Sequence, residues 1–316
     1  MLRVVELFAG IGAQASALKF ANIDYKTVAI CENDNYAIKS YELLHGKVFN
    51  LGDITRLNPL EVPDCDLLTY SFPCQDLSVA GHQLGIDEGS NTRSSLLWNC
   101  KDIISIKKPK YLLMENVKNL SGKKHIDNFQ KWLDFLSKEG YKNYWKVLNA
   151  VDYGSPQSRE RLFCVSILGN KNFIFPKAQP RKIKLKDILE PEEQVPANMY
   201  MDKPFIKKEK IEESPNGLIQ VGSIDMAANE CVKRVYSPSG VCPTLTTMTG
   251  GHRQPKILIN ERVRKLTPKE CWLAMGFSED EFSKVEGQLS NYQLYKQAGN
   301  SISVSCLSAI FKQLLK

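Results

Sequence analysis

No C-x-x-C pair occurs among the nine cysteines of this 316-residue chain, which argues against a structural zinc site. An odd cysteine count without a recognisable signal peptide argues equally against a disulfide framework. The four histidines, His45, His82, His125 and His252, are too scattered to suggest a metal cluster, so no metal is expected. No apolar run approaches the ~18–20 residues that a membrane span needs, and the N-terminus reads as a strand. A cytoplasmic, nucleoid-associated setting with no membrane partner is the expectation. Neither charge sign dominates: 42 Lys and Arg face 35 Asp and Glu, a net charge of +7. That balance is compatible with phosphate contacts but does not select them. Internal repeats and low-complexity tracts are also missing. What remains is 43% hydrophobic and 24% charged, the composition of an ordinary globular protein. The length suits one large α/β domain and a smaller one.

Residues 1 to about 175 alternate short apolar runs with helical patterns, which predicts βα units on a parallel sheet. Strands are expected at Arg3–Phe8, Thr27–Cys31, Leu67–Tyr70, Tyr111–Glu115 and Leu162–Ile167. Helices are expected at Gly12–Asn22, Tyr36–His45, Leu96–Lys107 and Asn128–Glu139, with Phe129, Leu133 and Leu136 at core spacing. Past Pro176 the texture becomes rich in Pro, Lys and Glu, then in Gly, Ser and Thr, and predicts a less regular second domain over 178–294. Thr267, Pro268 and Glu270 read as an N-cap, an N1 proline and an acidic N3. A last helix from about Ser301 is expected to rejoin the first domain, which would comprise 1–177 and 295–316.

Glu6-Leu7-Phe8-Ala9-Gly10-Ile11-Gly12 ends the first strand and opens the first helix. Its glycines permit a tight turn against which a ligand can lie. Glu32 ends the second strand, where a carboxylate can accept from ribose hydroxyls, although a strand-end acid is more often merely solvated. Asp53-Ile54 supplies a carboxylate for an adenine amino group and an apolar side chain for its ring. These residues describe a nucleoside crevice at the carboxyl edge of a sheet. Gly10-x-Gly12-x-x-Ala15 also fits a dinucleotide fingerprint, so S-adenosylmethionine and NAD both remain open.

Cys74 directly follows a strand, in the turn Ser71-Phe72-Pro73-Cys74-Gln75. A lone cysteine is ordinarily an inert core residue. Its company differs: Glu115-Asn116-Val117 follows the next strand, and Gln157-Ser158-Arg159-Glu160-Arg161 precedes another. A thiol, a carboxyl group and two guanidiniums beside a nucleoside crevice make a nucleophilic site.

With those motifs in order, and with Arg264–Phe277 and Gln297–Val304 after them, the chain resembles the DNA cytosine-5 methyltransferases of prokaryotic and phage modification systems. Only the stretch from about 178 to 260 falls outside the resemblance. It implies a Rossmann-like, S-adenosylmethionine-dependent α/β fold with a smaller target-recognition domain. It implies Cys74 as the nucleophile toward C6 of cytosine and Glu115 as the group that stabilises a proton at N3. Arg161 would hold O2 and the thiolate region, with Arg159 the other arginine of that motif. Cofactor contacts would come from Phe8, Gly10, Gly12, Glu32, Asn33, Asp53, Ile54, Pro73, Asn300 and Ile302. Two departures are Glu6 in place of the usual Asp and Ala13 in place of a further glycine.

A cytosine stacked in a duplex cannot present C6 to a thiol and must be flipped out. Residues 76–93 match the family's loop after the nucleophile, with Gly81, Gly85 and Gly89 for freedom and Ser78 and Gln83 as groups able to enter the duplex; Arg93 and Lys101 would face phosphates. Sequence choice is expected from the stretch Val241–Gln254. Within it Thr244-Leu245 resembles the family's recognition signature, and Arg253 and Gln254 suit guanine and adenine edges. The implied partners are double-stranded DNA and, in a restriction-modification system, a cognate endonuclease, with the enzyme itself a monomer. An NAD-dependent oxidoreductase would leave Cys74, Glu115 and Arg161 without roles; the same chemistry on tRNA stays open.

Overall fold

A computed structural model describes residues 1–74, Leu77 and 92–315. The chain divides into two compact units, Met1–Leu148 with Glu160–Lys177 and Leu307–Lys316, and Asn149–Arg159 with Ala178–Cys306. The segment 149–159 thus belongs to the second unit, and the return to the first begins at Leu307 rather than at 295.

In the first unit, β1 (Leu2–Leu7), β2 (Tyr25–Cys31), β3 (Leu67–Tyr70), β4 (Tyr111–Val117), β5 (Tyr141–Asn149) and β6 (Glu160–Leu168) form one sheet among the described residues, in the order β2-β1-β3-β4-β6-β5. The runs Val4–Leu7, Leu67–Tyr70 and Tyr111–Asn116 are buried throughout, as central strands covered on both faces must be. Strands β1 to β4 run parallel, with Leu7 opposite both Cys31 and Tyr70, and Tyr70 opposite Met114. Their carboxyl ends therefore form one row.

Two expectations need correction. The sheet is mixed, because β6 runs antiparallel to β4. An additional strand, β5, lies at the sheet edge, where exposed residues such as Lys142 and Lys146 interrupt the apolar pattern that would have marked it. The helices α1 (Ala13–Phe20), α2 (Asn35–His45), α3 (Cys100–Lys107) and α4 (Ile126–Lys138) lie within or near the expected spans. The residues ahead of α3 form a 3-10 turn, Arg93–Asn99, opened by the Thr92 side chain accepting from the Ser95 amide. Helix α4 buries Phe129, Trp132, Leu133 and Leu136, one stripe at helical spacing.

In the second unit, β7 (Phe205–Lys207), β8 (Gln220–Ile224), β9 (Arg234–Tyr236), β10 (Lys256–Ile259) and β11 (Arg262–Lys265) form a second sheet, and Val221, Ile224, Val235 and Val263 make its core. Strands of three to five residues are too short to show a period, so this order was not legible in the composition. The helices are α5 (Glu230–Lys233), α6 (Pro268–Ala274), α7 (Glu279–Val285), α8 (Asn291–Asn300) and α9 (Val304–Leu315), the last continuing into the first unit. Thr267, Pro268 and Glu270 form the expected capping box at α6. Glu270 also holds Arg264 of β11 at 2.7 Å, a fully buried ion pair. Among the described residues no helix is long and apolar enough to cross a membrane, and no group of three His, Cys, Asp or Glu could hold a metal ion.

Candidate active site

At the carboxyl row of the first sheet, the turn after β1 takes left-handed backbone at Phe8 (φ 55°), Gly10 (57°) and Gly12 (80°). A Cβ on Gly12 would meet the His45 ring at 2.5 Å and Tyr41 at 2.8 Å, so only glycine lets α2 close beneath the turn. Above Gly10 the space is open. The carboxylate of Glu32, just past β2, joins the two strand ends: Oε2 accepts from the Gly10 amide at 2.8 Å, and Oε1 from the amides of Asn33 and Asp34 at 2.9 Å each. Oε1 thus has both lone pairs engaged, while Oε2 keeps a further one for a ligand hydroxyl.

Asn50, which no motif marks, clips this corner. Its Oδ1 accepts from the amides of Glu32 (3.2 Å) and Gly52 (3.0 Å), and its Nδ2 donates to the Glu32 carbonyl (3.0 Å). The Asn50–Ile30 bridge carries the next residues along β2 to Asp53 and the buried Ile54. The Thr55 amide and hydroxyl both donate to Asp53 and hold its carboxyl below the usual carboxylate range. The half-buried carboxylate of Glu32, the Asp53 carboxylate with its lowered pKa, an apolar side chain and an open glycine turn are a donor set suited to a nucleoside with vicinal hydroxyls.

The turn after β3 is pinned at three successive carbonyls. Asn116 Nδ2 donates to the Phe72 carbonyl at 3.0 Å, Ser94 Oγ to that of Pro73 at 2.8 Å, and the Leu77 amide to that of Cys74 at 3.0 Å. Asn119 Nδ2 in turn donates to the Leu77 carbonyl at 2.7 Å. Cys74 itself is half-buried, whereas Cys31, Cys100, Cys164, Cys242, Cys271 and Cys306 are buried. Burial alone pushes Cys164 up to about 12 and Cys242 higher still, so these thiols stay protonated at neutral pH.

One strand over, Glu115 is 8% exposed and meets Arg161, Nε to Oε1 at 3.3 Å. The antiparallel course of β6 makes this pair. Residues preceding a parallel strand would lie at the opposite edge, but here Val117 at the end of β4 faces Arg161 at the start of β6. The sequence expectation of Arg161 beside Glu115 needed this reversal and did not contain it.

Arg159 lies elsewhere in its hydrogen bonding. Its guanidinium is buried in the second unit and donates to the carbonyls of Leu245 (2.8 Å), Gly299 (3.0 Å) and Ser301 (2.8 Å). Gln157 Oε1 accepts from the Leu245 amide at 3.0 Å, and Thr244 Oγ1 donates to the Ser158 carbonyl at 2.7 Å. Leu245 is 1% exposed, with both main-chain groups engaged, so this conformation offers none of its side chain to a duplex. Gly299 permits this approach, since a Cβ there would lie 1.8 Å from the Thr246 carbonyl. Asn300 is exposed at the end of α8, and Ile302 is buried. Arg253 is exposed; Gln254 is half-buried and donates from Nε2 to the Met248 carbonyl at 3.3 Å. Arg93 is exposed, and the Lys101 ammonium sits over the rings of Trp98 and Phe135. Ser78, Gln83 and the three loop glycines lie outside the described residues.

A pinned cysteine turn, a Glu-Arg pair on the adjoining strands and a nucleoside corner now share one sheet edge. Residues 2–316 match the family model of the C-5 cytosine-specific DNA methylases. The chain belongs to that family. It is 37% identical to the type II methyltransferase M2.ScrFI of Lactococcus lactis subsp. cremoris, covering 100% of this chain and 99% of that protein. It is 34% identical to the type II methyltransferase M.HhaI of Haemophilus parahaemolyticus (98% and 93% covered), and 30% identical to the orphan methyltransferase M.SPBetaI of Bacillus phage SPbeta (99% and 97%). The fold is that of solved methyltransferases: Entamoeba histolytica EhMeth superposes with a TM-score of 0.79 at 19% identity, covering 100% of this chain and 98% of that one. S. pombe Dnmt2 gives 0.76 at 23%, with the same coverage. As a DNA cytosine-5 methyltransferase the chain is an enzyme, and the oxidoreductase alternative falls away.

Proposed function

We propose that this methylase transfers a methyl group from S-adenosylmethionine to C5 of a flipped-out cytosine in a specific duplex DNA sequence, through a covalent bond between Cys74 and C6. The observation that carries the reading is the three-carbonyl pinning of the Phe72–Cys74 turn next to the Glu115–Arg161 pair. S-adenosylmethionine supplies an electrophilic methyl group. Glu32 would hold its ribose hydroxyls, Asp53 and Ile54 its adenine, and the open turn at Gly10 the chain between them; Phe8, Gly12, Asn33, Pro73, Asn300 and Ile302 are the further contacts the family pattern suggests.

The chain's own chemistry starts with the thiolate of Cys74, which adds to C6 and forms the S–C6 bond. Glu115 holds a proton at N3, so the electron pair displaced from the C5–C6 double bond is accommodated in the ring rather than left as a bare anion. Arg161 holds the Glu115 carboxyl in place and contributes positive charge beside the thiolate and O2. C5 then takes the methyl group, whose bond to the sulfonium sulfur would break with the electron pair left on sulfur as a neutral thioether. Loss of the C5 proton to a base restores the double bond and expels the Cys74 thiolate. Burial of Glu115 lowers the local dielectric and strengthens its interaction with Arg161. Arg159, bound to three carbonyls, acts as a positioning residue for the 244–247 segment, not as a group at the reacting ring.

Target choice falls to the second unit, with Thr244, Arg253 and Gln254 nearest to the bases and Ser78 and Gln83 entering from the loop. The type II and orphan names of the relatives suit a modification enzyme, acting as a monomer in the cytoplasm near the nucleoid, with or without a partner endonuclease. Transfer of tritiated methyl from S-adenosylmethionine to duplex DNA, in competition with tRNA, tests the substrate; preferential labelling of tRNA would sink it. Cys74→Ser should abolish labelling yet retain DNA binding, and trapping on 5-fluorocytosine DNA should require Cys74. An adduct formed by the Ser variant would assign the nucleophile to another cysteine.

A further inference from the structure

Within the 244–254 stretch, Met248 (φ 51°), Gly250 (86°), Gly251 (63°) and His252 (57°) all take left-handed backbone. Such a run makes neither helix nor strand ladder, so its carbonyls need other partners. At its start, Arg159 takes the Leu245 carbonyl. At its end stands Lys256, the first residue of β10 and only 1% exposed. Its Nζ donates to the carbonyls of Val232 (2.7 Å), His252 (2.6 Å) and Gln254 (3.1 Å).

An ammonium has three protons to donate, and here all three go to main-chain oxygens. A buried charge is tolerated only when its donors are satisfied. Burial, with repulsion from Lys265, lowers its pKa to about 8, so it stays largely charged at neutral pH. Two of the acceptors are the carbonyls on either side of Arg253, whose own side chain is exposed. The third, on α5, ties that short limb to the body of the unit.

We propose that Lys256 is a specificity-determining positioning residue, whose ammonium tripod sets the main chain around Arg253 and Gln254 and thereby which base edge they meet. This rests on the reading of residues 244–254 as the sequence-choosing segment. The ammonium forms no part of the reacting site and touches no base itself.

The test uses the full-length enzyme, with steady-state kinetics on its preferred site and on single-base variants of that site, and bisulfite sequencing of DNA from expressing cells. Lys256→Met removes the tripod at similar length. It should lower discrimination between the preferred and variant sites about tenfold, the scale of one well-placed base contact, with the loss in KM for the preferred site rather than in kcat. Lys256→Arg covers the case in which the Met variant fails to fold: it keeps the charge, but its planar fork cannot reach three converging carbonyls, so discrimination should fall likewise. Unchanged discrimination in a folded Lys256 variant, while Arg253→Ala lowers it, overturns the proposal and leaves the recognition reading standing. Unchanged discrimination in both Arg253→Ala and Gln254→Ala overturns the recognition reading, and the proposal with it.

Discussion

Glu6 is the penultimate residue of β1, just before the glycine turn, and its carboxyl is wholly enclosed. Oε1 accepts from the hydroxyls of Tyr41 (2.7 Å) and Thr27 (3.3 Å), while Oε2 has no hydrogen-bond partner among the described residues. Burial, partly opposed by those two hydroxyls, raises its pKa from 4.5 to about 7. The folded chain therefore keeps this proton until about pH 7, whereas the unfolded chain releases it above about 4.5. The native state binds more protons across that window, so stability falls as pH rises through it. Ionisation costs ~1.4 kcal/mol per pH unit of difference, which over this window amounts to ~3 kcal/mol by pH 7 and above. Glu6→Gln has no proton to lose, and its amide keeps the shape and an acceptor for Tyr41. Any fixed cost of the amide shifts the whole profile without changing its slope. Urea unfolding of both chains at pH 5, 6, 7 and 8, followed by circular dichroism, reads the difference, because the other titrating groups are common to both. The variant should gain on the wild type by ~3 kcal/mol from acid to neutral pH, on the order of 5–10 °C in Tm. Parallel profiles would refute the argument and mean that Glu6 is solvated or ionised in the folded chain.

Two further outcomes follow from single contacts. Arg264→Met leaves the Glu270 carboxylate buried without its partner and should cost about 3–5 kcal/mol in the same unfolding assay, a loss of under 1 kcal/mol being incompatible with a fully buried pair. Ser94→Ala removes the hydroxyl on the Pro73 carbonyl, a bond worth ~1 kcal/mol, and should lower kcat for methyl transfer by about fivefold with KM for DNA unchanged. An unaltered kcat would show that the cysteine turn holds its place without that bond.

Chemistry was legible in the chain because it depends on residue type and order. Cys74 after a strand, Glu115 near the end of the next and Arg161 at the start of a third are local facts, and so are the glycines of the first turn and the capping box at Thr267. The groups that support them were not. Asn50, Ser94, Asn116 and Lys256 act through main-chain oxygens and amides far along the chain, and a hydrogen bond to a carbonyl leaves no mark on the residue that owns the carbonyl. Strand β5 escaped for a different reason, too much exposure, while the second unit showed only as short strand-like runs, too short to fix their bounds or order.

By itself, then, the order of motifs determined the family and singled out Cys74 as the thiol expected to react. Only the tertiary structure decided direction and support. The reversal of β6 brings Arg161 to the edge where β4 ends, two residues past Glu115, and the buried guanidinium of Arg159 serves the second unit's main chain. Strand direction and side-chain reach come from which faces are buried together, a property of pairing across more than forty residues that no local pattern of apolar and polar positions encodes.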